Sequence, residues 1–323
     1  MRAVRSAGVS RYRRTGADLP WGDPRRYHGV PLEGHCWRFT DAAAGRVVLA
    51  LCGVNRDRTG RSWGFVGLAA HPGGFFRSAI VADAAADRRR LGVRAGTAFS
   101  ADAEHVRLDL GPDCRLEAAL GATGRWPRAA FGALGGAHAV PGLSQYWHPH
   151  VLGGTASGTV TAGGAGFSLA GARVYAEKNW GAGFPRRWWW GEAHDFGADP
   201  VCVAFAGGRV GIGRAEVPAT ALVVRLNGHV LALGLAQGAP VRARVGEEAW
   251  RVRGRSLHHR VELEGTGVPG AAHALTVPMP EERRALPGSH HHLAAAVRLR
   301  VWRGRRLLFA GESPLAGLER GAT

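Results

Sequence analysis

Short runs in which apolar and polar residues alternate follow one another along most of the chain, and long stretches of helical periodicity are nearly absent. Side chains on a β-strand point alternately to its two faces, so each run predicts a strand with one buried face. The predicted strands span residues 36–40, 46–54, 63–70, 105–110, 155–162, 173–178, 188–196, 201–206, 221–226, 229–235, 249–253, 258–263, 294–302 and 305–311. So many short strands exceed one small barrel and favour two, and the predicted fold class is all-β.

Turn residues separate several of these runs. Asn227 and Gly228 lie between two apolar runs and predict a tight hairpin, because both central residues of a type I′ turn have positive φ. Two segments, 82–90 and 128–137, predict short helices, although glycines weaken the second. The sequence at 288–292, which contains three consecutive histidines, predicts a solvated loop.

The character of the chain changes at a run of three tryptophans near its middle. The preceding half has long loops rich in glycine and proline, whereas the following half is a tighter succession of strands. We therefore predict two β domains, residues 1–187 and residues 188–323.

The overall composition is that of an ordinary globular protein, with 46% hydrophobic and 21% charged residues. No run approaches the about 18 apolar residues that a membrane-spanning helix needs. The basic N-terminal segment lacks the apolar core of a secretory signal, and the four cysteines are widely spaced, as is typical of reduced thiols. We therefore expect a cytoplasmic protein.

The formal net charge of +17 comes almost entirely from arginine, which supplies 41 of the 42 basic residues. Many arginines alternate with apolar residues, as at 241–245 and 297–301, and this spacing places them on the outward faces of strands. Charge spread around the molecule does not form the basic groove that nucleic acid requires. We expect no nucleic-acid partner and at most weak peripheral contact with anionic lipid headgroups of a membrane.

Residue types that are rare in this chain concentrate in one region. Within 35 residues of one another lie Gln145, Tyr146, Tyr175, Lys178 and Asn179, and this lysine is the only one in the sequence. Five of the eleven tryptophans fall in the same neighbourhood, namely Trp147, Trp180, Trp188, Trp189 and Trp190. The concentration indicates a candidate site.

The predicted strand at 173–179 has a distinctive polar face. Tyr175, Glu177 and Asn179 share one face, and Lys178 points to the other. In an apolar pocket among tryptophans, desolvation would raise the pKa of Glu177 and keep it protonated as a general acid. The alternative is that Glu177 and Lys178 pair with opposite charges across the sheet while the tryptophans fill the mouth of a barrel.

The sequence Tyr-Ala-Glu-Lys-Asn-Trp-Gly at 175–181, followed by Phe-Pro-Arg-Arg-Trp-Trp-Trp at 184–190, resembles the signature of tocopherol cyclases. Its context is more distantly similar to carotenoid 1,2-hydratases, and the segment 32–39 is similar to the opening Glu-Gly-aromatic motif of the family. The resemblance covers roughly residues 25–200. It implies two tandem lipocalin-like β-barrels and acid-catalysed chemistry on an isoprenoid double bond, with no cofactor.

The chain departs from the family pattern after the tryptophans. The family usually carries Gln and Asn at alternate positions where this chain has Glu192 and His194, which would share a strand face with Trp188 and Trp190. A titratable pair in place of two amides suggests a changed substrate or a changed acid. The catalytic candidates are therefore Glu177 and Glu192 as proton donors, with His194 or Glu192 as proton acceptor.

The candidate substrate-binding residues are aromatic or polar and lie near these motifs. They are Tyr175, Asn179, Trp180, Trp188, Trp190, Glu33, Trp147 and His148. Glu33 is either a second acid in the cavity or part of a structured turn. His148 and His150, together with Glu192 and His194, could form a metal site, but Pro149 interrupts the pairing and the resemblance implies no metal, so none is expected.

The leading hypothesis is a cofactor-independent cyclase, an intramolecular lyase of the isomerase class, for a prenylated quinol or phenol or another isoprenoid lipid. Glu177 would protonate an alkene, the indoles of Trp180, Trp188 or Trp190 would stabilise the cation, and a phenolic oxygen would attack it. The alternative is a non-catalytic lipocalin-like carrier of an apolar ligand, because fold alone does not decide function. A neutral Glu177 favours the enzyme, and a Glu177 paired with an arginine favours the carrier.

Overall fold

The first sheet occupies the N-terminal part of a computed structural model that describes residues 24–126, 132–140, 143–197, 200–212 and 215–322. In the described residues this sheet has twelve strands, β1 (Leu32–Asp41), β2 (Arg46–Arg56), β3 (Ser62–His71), β4 (Phe75–Val81), β5 (Ala84–Ala86), β6 (Gly92–Ala95), β7 (Phe99–Asp102), β8 (His105–Asp109), β9 (Cys114–Arg125), β10 (Gln145–Ala162), β11 (Ala165–Ser168) and β12 (Ala172–Gly181). Their order is β4-β3-β2-β1-β12-β10-β9-β8-β7-β6-β5, with β11 beside β10. All pairs are antiparallel, and β12 lies near the middle, between β1 and β10.

The second sheet follows in the chain and is also antiparallel. Among the described residues it has ten strands, β13 (Arg187–Ala193), β14 (Cys202–Ile212), β15 (Ala215–Leu226), β16 (His229–Leu233), β17 (Val241–Val245), β18 (Ala249–Arg255), β19 (His259–Thr266), β20 (His273–Met279), β21 (Arg284–Arg303) and β22 (Arg306–Ala322). The order is β16-β15-β14-β13-β22-β21-β19-β18-β17, with β20 beside β21. The described part of the chain also contains three short 3-10 helices, at Gly135–Ala139, Leu235–Gln237 and Pro280–Glu282.

Each sheet curls around its own apolar core, because alternate side chains point inward along every strand. In the first sheet, a Cβ placed on Gly64 of β3 would lie 2.8 Å from Cβ of Ala95 in β6, near the opposite end of the strand order. In the second, a Cβ on Gly254 of β18 would lie 2.7 Å from Leu233 in β16. The predicted fold class, all-β with two tandem lipocalin-like barrels, is confirmed.

The two sheets pack against each other through their outer faces. One contact is apolar and joins β2 and β3 to β20 and β21, through Val47, Leu49, Ala69, Leu275 and Leu293. A second apolar cluster joins β10 and β12 to β13, β14 and β15. The region between the sheets is therefore a third buried layer, distinct from the two barrel interiors.

Several local predictions are confirmed. Asn227 and Gly228 have φ of 50° and 77° and connect β15 to β16. The alternation at 241–245 and 297–301 buries or half-buries the apolar residues and exposes the arginines between them. The predicted division between residues 187 and 188 falls just after the start of β13, and the division into two domains stays a prediction.

Three local predictions need correction. Residues 82–90 contain no helix, because Ala84–Ala86 pairs with β6 and the Asp87 carboxylate accepts the backbone N–H groups of Arg89 and Arg90 in a turn. Of the segment 128–137, residues 128–131 lie outside the described residues, and the rest enters a 3-10 helix. Residues 288–292 are not a loop but part of β21. Among the described residues, no helix has the length and apolar character to span a membrane.

Candidate active site

The predicted polar face of β12 lies in the layer between the sheets. Ala176 and Val174 point into the first core, so Tyr175, Glu177 and Asn179 point the other way. The chain then crosses from Gly181 to Arg187 and enters the second sheet. This short connection places the outer face of β13 opposite the outer face of β12, and the two halves of one sequence motif face each other.

Glu177 lies at the centre of this layer and is 6% exposed. Its Oε2 atom accepts three hydrogen bonds: from Trp147 Nε1 at 2.7 Å, from Trp190 Nε1 at 2.7 Å and from the Tyr175 hydroxyl at 2.5 Å. Oε1 accepts none from the described residues, and Glu177 lines a cavity. The carboxyl is therefore held at one oxygen and left available to a ligand at the other.

Opposing effects act on the proton of Glu177. Burial penalises the carboxylate, whereas the hydrogen bonds from Tyr175, Trp190 and Trp147 stabilise it. Burial is the larger effect and raises the pKa of Glu177 to about 7. The described residues offer Glu177 no arginine or lysine partner, so a substantial fraction of the side chain is neutral acid near neutral pH.

The cavity beside Glu177 has a volume of about 330 Å³, within the range of small-molecule sites. Its walls come from both sheets and are mainly apolar, including Leu49, Leu51, Phe65, Val210, Val217 and Leu275. Of the sequence-predicted residues, Glu177, Asn179, Trp147, Trp188 and Trp190 line it. Tyr175 does not line the cavity, but its hydroxyl donates a hydrogen bond to Glu177.

Glu192 and His194 lie in the same layer but do not line the cavity. The Glu192 carboxylate pairs with Arg38 Nε at 2.8 Å and with His194 Nδ1 at 2.7 Å, and all three side chains are almost fully buried. Burial alone would raise the pKa of Glu192, but His194 and Arg38 outweigh burial and hold this pKa below its ordinary value. Glu192 is therefore an ionised partner that connects the sheets.

Three other predicted substrate-binding residues, Trp180, Glu33 and His148, lie within the first sheet and not at the cavity. Trp180 and Lys178 share the inner face of β12, where Trp180 stacks on His28 with ring centroids 4.4 Å apart. Lys178 Nζ donates to Glu33 Oε2 at 2.8 Å, and Glu33 Oε1 accepts the backbone N–H groups of His28 and Gly29. Glu33 therefore stabilises a turn and a buried lysine. His148, paired in register with Lys178, faces the same interior.

The cavity also contains a second titratable pair that the sequence patterns did not indicate. Glu319 of β22 and His291 of β21 are direct cross-strand neighbours, and both line the cavity. Trp188 Nε1 donates to Glu319 Oε1 at 2.8 Å. Residues 288–292 belong to β21, but alternation along this strand does not predict the position of His291, because the register shift between His292 and Ala295 separates the phase of Leu293, between the sheets, from that of Ala295, in the second core.

The metal alternative at His148, His150, Glu192 and His194 is not supported by the arrangement. His148 faces the interior of the first sheet, whereas Glu192 lies between the sheets and is engaged by Arg38. In the part of the chain that the structure describes, no group of three histidine, cysteine or carboxylate side chains is placed to hold a metal ion.

Comparison with known proteins agrees with this architecture. A family model described as tocopherol cyclase-like matches residues 126–322, which include β10, β12 and β13. A probable chloroplastic tocopherol cyclase of Oryza sativa subsp. japonica is 28% identical over 194 residues, 57% of this chain and 41% of that protein. The chloroplastic tocopherol cyclase of Zea mays is 26% identical over 198 residues, 57% of this chain and 40% of that protein. The match thus spans less than half of each relative.

Among solved structures, kievitone hydratase from Nectria haematococca has a similar fold. The TM-score is 0.52 at 12% sequence identity, and the superposition covers 91% of this chain and 89% of that one. At this identity the similarity concerns the fold.

Proposed function

Because the chain belongs to the tocopherol cyclase-like family, we propose that it is an enzyme of the cyclase or hydratase type that protonates a carbon–carbon double bond of an apolar substrate. The observation that carries the proposal is the environment of Glu177. This carboxyl is buried against an apolar cavity, has a pKa raised to about 7 and points one oxygen away from all of its described partners.

The hydrogen bonds to Glu177 indicate where its proton resides. Three donors converge on Oε2, so the proton of the neutral acid belongs on Oε1, the atom available to a ligand. When Oε1 gives up its proton, the charge that develops on the carboxylate is stabilised by those same preorganised donors. The arrangement therefore favours the transition state of proton transfer over the resting acid.

The tryptophans supply the second requirement, which is stabilisation of a carbocation. Trp147, Trp188 and Trp190 line the cavity beside the acid. An indole face contributes about 1–2 kcal/mol to a cation in a desolvated site. Trp180 is not part of this wall, since it stacks inside the first sheet.

We further propose that the substrate is a prenylated quinol or phenol whose own oxygen attacks the tertiary cation and closes a ring. Protonation, cation formation and oxygen attack exchange no electrons, so the reaction as proposed consumes no redox cofactor. The apolar walls suit a prenyl chain, whereas a few polar groups would orient the aromatic head.

The carrier hypothesis is less well supported. A carrier has no need of a buried carboxyl without a cationic partner, because such a group destabilises the fold when it ionises. A carrier would also be compatible with a Glu177 neutralised by arginine, but the buried arginine of this layer, Arg38, pairs with Glu192 instead.

The proposal is tested by Glu177→Gln in D₂O with geranylhydroquinone as the probe. Gln keeps an acceptor for the three donors and removes the acid, so cyclised, deuterium-containing product should fall by about 10²–10⁴-fold, as expected for loss of general acid catalysis. Binding, followed by quenching of tryptophan fluorescence, should persist. Product and deuterium content are measured by mass spectrometry.

The matched control is Glu216→Gln, which changes an exposed carboxyl and should leave turnover unchanged. Normal turnover by Glu177→Gln, with loss in Glu192→Gln, would instead identify Glu192 as the acid. Binding without deuterium incorporation by the unmodified protein would favour the carrier.

A further inference from the structure

His291 and Glu319 form a second titratable pair in the cavity, and the proposed protonation step does not use it. His291 Nδ1 lies 3.0 Å from Glu319 Oε2. The His291 side chain is 1% exposed and that of Glu319 is 18% exposed. Trp188 Nε1 fixes the other carboxylate oxygen at 2.8 Å. Both side chains are therefore held in place by neighbours.

The hydrogen bond to Glu319 sets the tautomer of His291. An imidazole that directs Nδ1 at a carboxylate carries its proton on Nδ1, so Nε2 is the acceptor. Nε2 is buried and has no hydrogen-bonding partner among the described residues. Leaving such an atom unpaired is unfavourable, which makes a ligand hydroxyl the natural partner for a histidine that lines the cavity.

The two carboxyls of the cavity have opposite environments. Burial raises the pKa of Glu177, whereas at Glu319 burial is outweighed by His291 and Trp188, which hold its pKa below the ordinary value. Two titratable groups whose pKa values are shifted in opposite directions are typical of an acid and a base that serve one reaction. Glu177 is the acid side, and Glu319 with His291 is the basic side.

Trp190 lies between the two sides. Its Nε1 donates to Glu177 Oε2, and its ring centroid lies 5.4 Å from that of His291. A cation formed by proton transfer from Glu177 would contact this indole, and the oxygen that attacks the cation can approach from the His291 side. The order acid, indole and histidine therefore follows the order of the reacting groups.

We propose that His291 Nε2 binds the hydroxyl group that attacks the cation and accepts its proton, with Glu319 as the positioning residue that stabilises the imidazolium. This inference rests on the proposed function and adds the second half of the reaction. His291 is the catalytic residue, since it touches the nucleophile, and Glu319 acts through it.

The step is balanced without a further reagent. Glu177 gives its proton to one alkene carbon, a hydroxyl oxygen forms a C–O bond to the other, and the hydroxyl proton passes to His291. The two side chains then restore their protonation states through solvent. The hydroxyl can belong to the substrate, giving an isomeric ring, or to water, giving a product heavier by one water, and the mass of the product distinguishes the two sources.

The first test compares the binding of geranylhydroquinone with the binding of its monomethyl ether, in which the hydroxyl group next to the prenyl chain is methylated. The unmodified protein should bind the free hydroxyl about tenfold more tightly, the effect of one hydrogen bond to a buried acceptor. His291→Asn keeps a donor for Glu319 but removes Nε2, and the preference should vanish while affinity for the ether is unchanged. A preference that is retained in His291→Asn, or that is absent in an unmodified protein whose product is the isomeric ring, overturns the proposal. An absent preference together with a product heavier by one water supports water as the hydroxyl that His291 binds.

The second test follows deuterium in D₂O. In Glu319→Gln and His291→Asn, cyclised or hydrated product should fall by about 10²-fold, while deuterium still enters the alkene of recovered substrate, because protonation by Glu177 continues. Equal loss of both signals would show that the pair is only structural. Glu177→Gln should lose both signals. If the unmodified protein incorporates no deuterium, the proposed function fails, and the binding test still decides whether His291 holds a hydroxyl.

Discussion

At Glu177, burial and hydrogen bonding act on the same carboxyl in opposite directions. Burial in the layer between the sheets removes water that would stabilise the charge, and three donors at Oε2 replace only part of it. The result is a pKa of about 7 rather than the ordinary value near 4.5. The acid is the active form, so the rate should decrease as pH rises through about 7.

Tyr175→Phe should move this pH dependence in a defined direction. The Tyr175 hydroxyl lowers the pKa of Glu177 by donating to the carboxylate, so its removal raises that pKa. A hydrogen bond to a charged group is worth about 1.5–3 kcal/mol, and the midpoint of the pH–rate profile should rise by about one pH unit. The measurement is turnover between acidic and alkaline pH.

Tyr146→Phe is the matched control, because that hydroxyl donates to the backbone carbonyl of Val140. This substitution should change the stability of the protein and leave the midpoint of the pH–rate profile unchanged. A midpoint that shifts downward in Tyr175→Phe would contradict the assignment of Glu177 as the titrating acid.

At the scale of the strands, glycines in β22 allow the site tryptophans of β13 to lie flat. A Cβ on Gly317 would lie 2.9 Å from Trp190, and a Cβ on Gly321 would overlap the Trp188 indole. Gly321 and Trp188 are direct cross-strand neighbours. The glycine in one strand thus creates the space for the aromatic ring in the next.

Gly321→Ala should therefore displace the Trp188 indole and weaken its bond to Glu319. Overpacking of this kind costs about 1–3 kcal/mol of unfolding free energy, and turnover should fall because the cavity wall moves. Urea unfolding and product formation are the measurements. Gly183→Ala is the control, since a Cβ there meets nothing within 4 Å, and equal effects of the two substitutions would refute this explanation.

At the scale of the whole molecule, Arg38 connects the two sheets. It belongs to β1, yet its guanidinium pairs with Glu192 and donates to the carbonyl oxygens of Leu293 and Leu315 at 2.5 and 2.7 Å. All of these partners belong to the second sheet. The geometry of the cavity, whose walls come from both sheets, depends on this connection.

Arg38→Met should destabilise the protein by about 3–5 kcal/mol, because it leaves the Glu192 carboxylate buried without its cation. Calorimetry should show a lower melting temperature, and ligand binding should weaken. Arg298→Met removes an exposed pair with Glu312 and should cost less than about 1 kcal/mol. Similar losses in both variants would mean that Arg38 does not couple the sheets.

Much of the fold is determined locally. Alternation along a strand decides which residues share a face, so the pattern predicted the β architecture, the turn at Asn227 and Gly228 and the common face of Tyr175, Glu177 and Asn179. It failed at 82–90, where the alanines joined a short strand once a partner, β6, was available. Helical propensity is a weak preference that tertiary pairing overrides.

The sequence by itself therefore determined the all-β class, many of the strands with their faces, and the motif that carries Glu177. Only the tertiary structure decided which faces of the strands pack against each other. A two-residue period cannot tell a barrel interior from the layer between the sheets, so Trp180 and Glu33 were placed with Glu177, although they lie inside the first sheet. The pairing of His291 with Glu319, and of Arg38 with Glu192, depends on the register and curl of strands distant in sequence, and these result from the packing of all the cores together.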